Sequence, residues 1–263
     1  MTGSAAASVL SGLGFGLVAW LGFGLGAHSA LFAWLSAPVA LALAVAGLVA
    51  SGGIPGPEDL RRALDRAEPD WGARSRALAA AALAVFAVYA LPWLLFGVRI
   101  GLVGFAATLA AGASVFAAGA RLREGPLRDT PLTPATLLLF ALASGALGDA
   151  MLTDVTARDD GGRADGAAIF LLAAAFAVKW AWWERAKKIA GGADDAQARS
   201  ARRAAVALGL IVPVVCIDLS GRFGAFFVPV GLAAHVAGLM IERRQFFAPD
   251  PPVPAKAESD GEA

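Results

Sequence analysis

The chain has 263 residues, of which 58% are hydrophobic and only 16% charged, and its formal net charge is +1. A soluble fold of that composition would lack the polar surface needed to cover itself, and the absence of a basic stretch interleaved with aromatics argues against a nucleic-acid partner. The single cysteine, Cys216, excludes an internal disulfide. An iron–sulfur cluster normally takes four thiolates, so this chain cannot ligate one alone. With only two histidines, His28 and His235, any redox metal centre would come from another subunit.

In chain order, the N-terminal stretch MTGSAAASVLSGLG lacks the positive region of a secretory signal and continues into an apolar run long enough to span a bilayer. It is expected to be the first retained helix. Eight spans follow from the apolar runs: 8–27, 31–50, 77–96, 101–122, 134–153, 166–184, 204–220 and 225–246. Each is close to the roughly twenty residues that a hydrocarbon core requires. The stretch from Gly101 to Asp154 shows the pattern best, with two such runs around a loop that carries Arg121, Arg123 and Arg128. Pro126 and Pro131 break the helix there, and Pro134 suits the first turn of the next one. Pro213 is expected to kink the seventh span. The fold class is therefore an all-α, polytopic bundle of eight transmembrane helices over residues 1–248. A Pro-rich charged tail over 249–263 is expected to be disordered.

The basic residues set the expected orientation. Arg61, Arg62, Arg66, Arg74 and Arg76 fall after span 2, the arginine loop just described after span 4, and a lysine- and arginine-rich segment between Arg185 and Arg203 after span 6. With Arg243, Arg244 and Lys256 these make seventeen on one face, against Arg99, Arg158, Arg163 and Arg222 on the other. The basic face is expected to be cytoplasmic, with both termini on it. Gly12, Gly14, Gly16, Gly22 and Gly26, with Gly145 and Gly148, mark places where helix backbones could approach closely. In the loop after span 2, Pro57, Glu58 and Asp59 suit a helix start, and Leu60, Ala63, Leu64 and Ala67 share one face. A short amphipathic surface helix is expected there, and a second over Asp194 to Arg203.

Ionisable groups inside spans carry the candidate chemistry, because each costs about 2.5–3.5 kcal/mol or more at mid-membrane. His235 lies deepest and reads either as a ligand for a proton or a quinone headgroup, or as a neutral histidine bonded to a neighbouring helix. Lys179 is expected to snorkel to the interface, with Trp180, Trp182 and Trp183 as belt residues. Asp149 and Asp218 are expected to pair with Arg222 or Arg99. Tyr89, the only tyrosine, follows Ser75 by fourteen residues and shares its helix face. It reads equally as part of a headgroup pocket or as a hydroxyl bonded to a backbone carbonyl. No phosphate loop, metal motif or nucleophile triad appears, so the chain is not expected to catalyse a reaction alone.

Four stretches together resemble one family. SVLSGLGFGL (8–17), RDTPLTPATLLLFALASGAL (128–147), KWAWWERA (179–186) and IERRQFFA (241–248) resemble, in order, motifs of the DmsC-type membrane anchor subunits of DMSO-reductase-like molybdoenzymes. The likeness covers nearly the whole chain. It implies an anchor that exchanges electrons between membrane quinone or quinol, bound as substrate, and a four-cluster iron–sulfur subunit joined to a molybdopterin catalytic subunit. The anchor itself would hold no haem, cluster or metal. A sulfite-oxidising enzyme is one branch of the resemblance, and quinol-driven S- or N-oxide reduction is another. Trp71, Arg74, Ser75, Tyr89 and His235 are the expected quinone-site residues, and Arg61, Arg62, Arg123 and Arg128 the expected docking residues. At the position of the family's histidine stands Gly53, and at that of its carboxylate stands Ser75; Arg244 and Gln245 replace its Trp-Leu. A small transporter using Asp149, Lys179, Asp218 and His235, or a structural anchor with a degenerate quinone site, are the competing readings.

Overall fold

The computed structural model describes residues 2–24, 29–65, 70–123, 128–156, 162–189, 196–224 and 226–248. Gly26, His28, Arg66, Arg158 and the tail from residue 249 lie outside the described residues, and so does the side chain of Arg163. The described residues form helices throughout: α1 (Thr2–Phe23), α2 (Ala30–Ala50), α3 (Pro57–Leu64), α4 (Trp71–Phe96), α5 (Gly101–Arg121), α6 (Leu132–Thr156), α7 (Gly162–Ile189), α8 (Ala196–Val206), α9 (Val212–Phe223) and α10 (Phe227–Phe246). A π-helical segment, Ala207–Ile211, joins α8 to α9 without a break.

Local chemistry sets most helix ends. The Ser29 hydroxyl accepts from Phe32 N at 3.1 Å to start α2, and the Asp70 carboxylate accepts from Ala73 N at 2.9 Å to start α4. Asp59 reaches back to Gly56 N at 3.1 Å, closing the first turn of α3 behind Pro57. Gly97 ends α4 at φ 70°, where a side chain would be strained.

Among the described residues, seven helices are long and apolar enough to cross a membrane: α1, α2, α4, α5, α6, α7 and the continuous α8–α9 rod. The eighth expected span corresponds to α10, which at 20 residues is long enough, but Glu242, Arg243 and Arg244 in its last turns leave it less apolar than the other seven. Apolar side chains face outward along these helices, among them Leu31, Trp34, Leu91, Leu102 and Phe170. Such a surface suits lipid and not water. The architecture is that of a multi-pass helical membrane protein.

The chain packs as two groups of helices. α1, α2, α4 and α5 enclose one core, built on Phe32, Phe86, Tyr89 and Trp93. α6, α7, the α8–α9 rod and α10 enclose the second, with Phe140, Phe176, Trp182 and Phe246 at one end and Leu147, Ile217 and Val228 at the other. α1 joins the groups by packing on α6 and α10. Where α1 crosses α6, a Cβ on Gly16 would meet the backbone of Ala141, and one on Gly145 the backbone of Gly16. The expected close approach of glycines is thus real at this crossing.

Several expected boundaries move. α1 starts at Thr2 and ends at Phe23, where a span over 8–27 was expected, and α4 starts at Trp71, six residues before 77. Both shifts add polar but helix-compatible turns that hydropathy alone discounts. The basic segment expected as a separate surface helix is the first part of the α8–α9 rod, so Arg199, Arg202 and Arg203 lie on the same rod as the span. α3 forms as expected and leaves Leu60 and Leu64 exposed.

Candidate functional site

Six helices meet around a cavity of about 280 Å³ at the end of the bundle where α4 and α6 start and α5 and α10 finish. Its walls are apolar, with Phe15, Leu48, Val115, Leu137, Phe140 and Leu239, and its polar groups are serine hydroxyls and three arginines, Arg76, Arg121 and Arg243. Among the described residues, no carboxylate lines it. Three of the serines spend their protons on helix carbonyls: Ser51 Oγ donates to Leu48 O at 2.9 Å, Ser75 to Gly72 O at 3.2 Å and Ser114 to Ala111 O at 2.8 Å. Their oxygens are therefore left as acceptors, while the arginines can only donate.

Ser144 marks the inner end of the cavity, and His235 stands directly behind it. His235 is fully buried, with Nε2 2.9 Å from Ser144 Oγ and Nδ1 2.8 Å from Gly209 O. A carbonyl oxygen only accepts, so Nδ1 carries the proton and Nε2 presents a lone pair to Ser144. Gly209 O is available for a local reason. It lies in the π-helical segment, and Pro213, four residues on, has no N–H to offer it. Gly238 packs on the Gly209 backbone where a Cβ would collide, and this close contact brings α10 near enough for the histidine to reach.

A buried ionic group lies beside the cavity. Lys179 Nζ is 2.5 Å from Glu242 Oε1, and Arg243 Nη1 is 2.9 Å from Glu242 Oε2. All three side chains are at most 4% exposed. Trp182, Trp183 and Phe246 surround the ammonium, with the Trp182 ring centroid 3.7 Å away. Lys179 therefore does not snorkel to the interface. A counter-charge on α10 and an aromatic enclosure hold it inside, and Trp182 and Trp183 are buried there, not in a belt. Trp180 is 58% exposed, as a belt residue would be. Asp218 pairs with Arg222 at 3.2 Å, as expected.

The α3 segment is clasped onto α4 at the cavity rim. Arg76, a lining residue, binds Asp59 at 2.6 Å. Arg74 donates to Ala63 O at 3.1 Å and Asp65 O at 2.6 Å, and lies over Trp71. The Arg76 hydrogen bond, helped by Gly56 N, holds the Asp59 carboxyl below its ordinary value, and the Ala73 N–H does the same for Asp70.

The five expected quinone-site residues are not brought together as one set. Ser75 lines the cavity, and His235 reaches it through Ser144. Trp71 lines a shallower neighbouring cleft with Arg121 and Arg123, and Arg74 is occupied with the loop. Tyr89 lies toward the other end of α4, buried, its hydroxyl donating to Leu21 O at 3.0 Å, which is the second of its two readings. Of the expected docking residues, Arg61, Arg62 and Arg123 are exposed at the arginine-bearing end; Arg62 pairs with Glu58 and Arg123 with Asp129. Arg128 sits in the same loop, half-buried. Sequence reading did not single out Ser144, Glu242 or Arg243 as a site, although Ser144 lies in the Leu-Ala-Ser-Gly stretch and Glu242 and Arg243 in IERRQFFA.

Fold and site together define a multi-pass helical protein with an amphipathic cavity at its arginine-bearing end. Compared with protein-family models, with curated proteins and with solved structures, the chain finds no match.

Proposed function

We propose that this chain is the membrane anchor subunit of a molybdopterin oxidoreductase complex, spanning a bacterial inner membrane eight times with α10 as the last span. It exchanges electrons between membrane quinone or quinol and a partner iron–sulfur subunit, which in turn serves a molybdopterin catalytic subunit. The observation that carries the reading is the cavity lined by arginines and hydroxyls with no carboxylate among the described residues, at the end where Arg61, Arg62, Arg123 and Arg128 gather. A quinone head presents two oxygens on an apolar ring. Arg121 and Arg243 supply donors for one oxygen, Ser144 an acceptor for the O–H of the reduced form, and Phe15 and Phe140 an apolar wall. The volume is close to the lower end of the roughly 300–1,000 Å³ of small-molecule pockets. The four motif resemblances favour this assembly over other quinone-reactive proteins.

Purification of the tagged chain from native membranes tests the proposal. The expected result is co-purification of a cysteine-rich iron–sulfur protein and a molybdenum protein, with quinone retained. Recovery of the chain alone overturns it, and partners without quinone leave a purely structural anchor. A transporter is the second reading, favoured by the π-helical interruption facing His235 at mid-helix. Proteoliposome flux that His235→Gln abolishes would establish it.

A further inference from the structure

The geometry points to a proton relay at the inner end of the cavity, in which Ser144 touches the bound quinol and His235 takes up its proton. The inference rests on the cavity being the quinone site. It assigns the proton chemistry to residues other than Gly53 and Ser75, the positions where the resemblance would place it.

The argument starts from a proton count. Ser144 has one hydroxyl proton and two acceptors already in reach, Phe140 O at 2.7 Å and His235 Nε2 at 2.9 Å. It has none to give a ligand, so whatever meets Ser144 from the cavity must donate. A hydroquinone O–H does so, whereas a quinone carbonyl does not. Arg243 at the cavity wall is the opposite, a buried donor whose Nε lacks a hydrogen-bond partner. The cavity thus has an acceptor at its inner end and donors toward its mouth.

The same network stores the proton. When the bound quinol gives one electron to the iron–sulfur carrier of the partner, its O–H bond breaks and the proton moves to Ser144 Oγ. The serine's own proton passes to His235 Nε2, forming an N–H bond. The products are a neutral semiquinone and an imidazolium. No heavy atom has to move: Nδ1–H stays on Gly209 O, Nε2–H now donates to Ser144 Oγ, and the Ser144 hydroxyl donates to Phe140 O. Both protonation states of His235 satisfy every polar atom of the set, and a histidine placed only for packing has no need of that property. The quinol's second hydroxyl faces the open end and takes no part.

The charged and titratable groups on the elements around His235 are few. α1 and the π-helical segment carry none; α6 brings Asp149 and Asp154, five and ten residues beyond Ser144; α9 brings Cys216 and the Asp218–Arg222 pair. α8 brings Arg199, Arg202 and Arg203, α10 itself Glu242, Arg243 and Arg244, and Lys179 of α7 is tied to Glu242.

The test uses the full chain in nanodiscs and then in its complex. A short-tailed naphthohydroquinone and its oxidised quinone are titrated into wild type, Ser144→Ala, Ser144→Thr and His235→Gln. The relay predicts that Ser144→Ala weakens hydroquinone binding about tenfold, the cost of one buried hydrogen bond, with quinone affinity unchanged and Ser144→Thr close to wild type. In the complex, His235→Gln should flatten the pH profile of quinol oxidation. Ser144→Ala removes a single oxygen and carries the test if His235→Gln does not fold. Equal hydroquinone binding and an unchanged pH profile in Ser144→Ala overturn the relay while leaving the quinone site in place. Failure of wild type to bind either form overturns the quinone site, and the relay with it.

Discussion

Glu242 supplies the negative charge between Lys179 and Arg243, and its position on α10 fixes how α7 meets that helix. Replacing it with Gln leaves two cations together in the interior, the arrangement that costs about 3–5 kcal/mol when a buried pair is broken. Lys179→Met should cost much less, because Glu242 keeps Arg243. Denaturation of the two variants in mild detergent checks the order, and equal losses would mean that Glu242 is not the shared partner. Tyr89→Phe is the contrasting case. It removes one buried hydrogen bond to Leu21 O, worth about 0.5–1.5 kcal/mol, and should leave quinone binding as it was, as ligand titration of the variant would show. The sequence gives the depth of such residues along a helix but not which neighbour they face. Lys179 therefore reads as a snorkelling surface residue until Glu242, sixty-three positions later, is seen beside it.

The helices follow from apolar run length, and so do most of their ends, because Pro, Gly, Ser and Asp stand where capping requires them. What run length does not contain is the junction between α8 and α9. Pro213 signals an irregularity, but its form depends on Gly238 and His235 of another helix. Two element-level outcomes follow. Gly16→Val should prevent α1 from seating on α6, since the added carbons meet backbone that cannot rotate away; a loss near 3 kcal/mol is expected, the upper end of ordinary overpacking, and lowered thermal stability of the purified variant is the readout. The clasp of α3 on α4 should depend on pH. Its Asp59 carboxyl lies below the ordinary value, so the ion pair with Arg76 contributes above about pH 4, the unfolded range for Asp. That contribution falls away as pH drops through the lower folded value. Hydrogen exchange of residues 57–64 should be slower in wild type than in Asp59→Asn at neutral pH, and the two should converge in acid. A constant ratio across that range would remove Asp59 from the clasp.

At the scale of the whole molecule, charge and structure bear on the same question from different sides. Eight spans would put seventeen basic residues on one face against four on the other. The structure adds that the cavity, the α3 clasp and the buried Lys179–Glu242–Arg243 group all lie toward the crowded face. Composition could show the bias but not the cavity, because its lining comes from six helices that only the fold brings together. If the crowded face is cytoplasmic, a reporter active only inside the cell should work when fused after Asp250, and one active only outside should work when inserted after Val98, between α4 and α5. The reverse pattern would place the arginine face outside. The iron–sulfur partner would then have to be an exported protein, and electrons would meet quinone from the opposite side of the membrane. The paired fusions separate these cases because one side of the membrane is common to both termini only if α10 spans. Signals from the two fusions on the same side would instead show that the span count is odd.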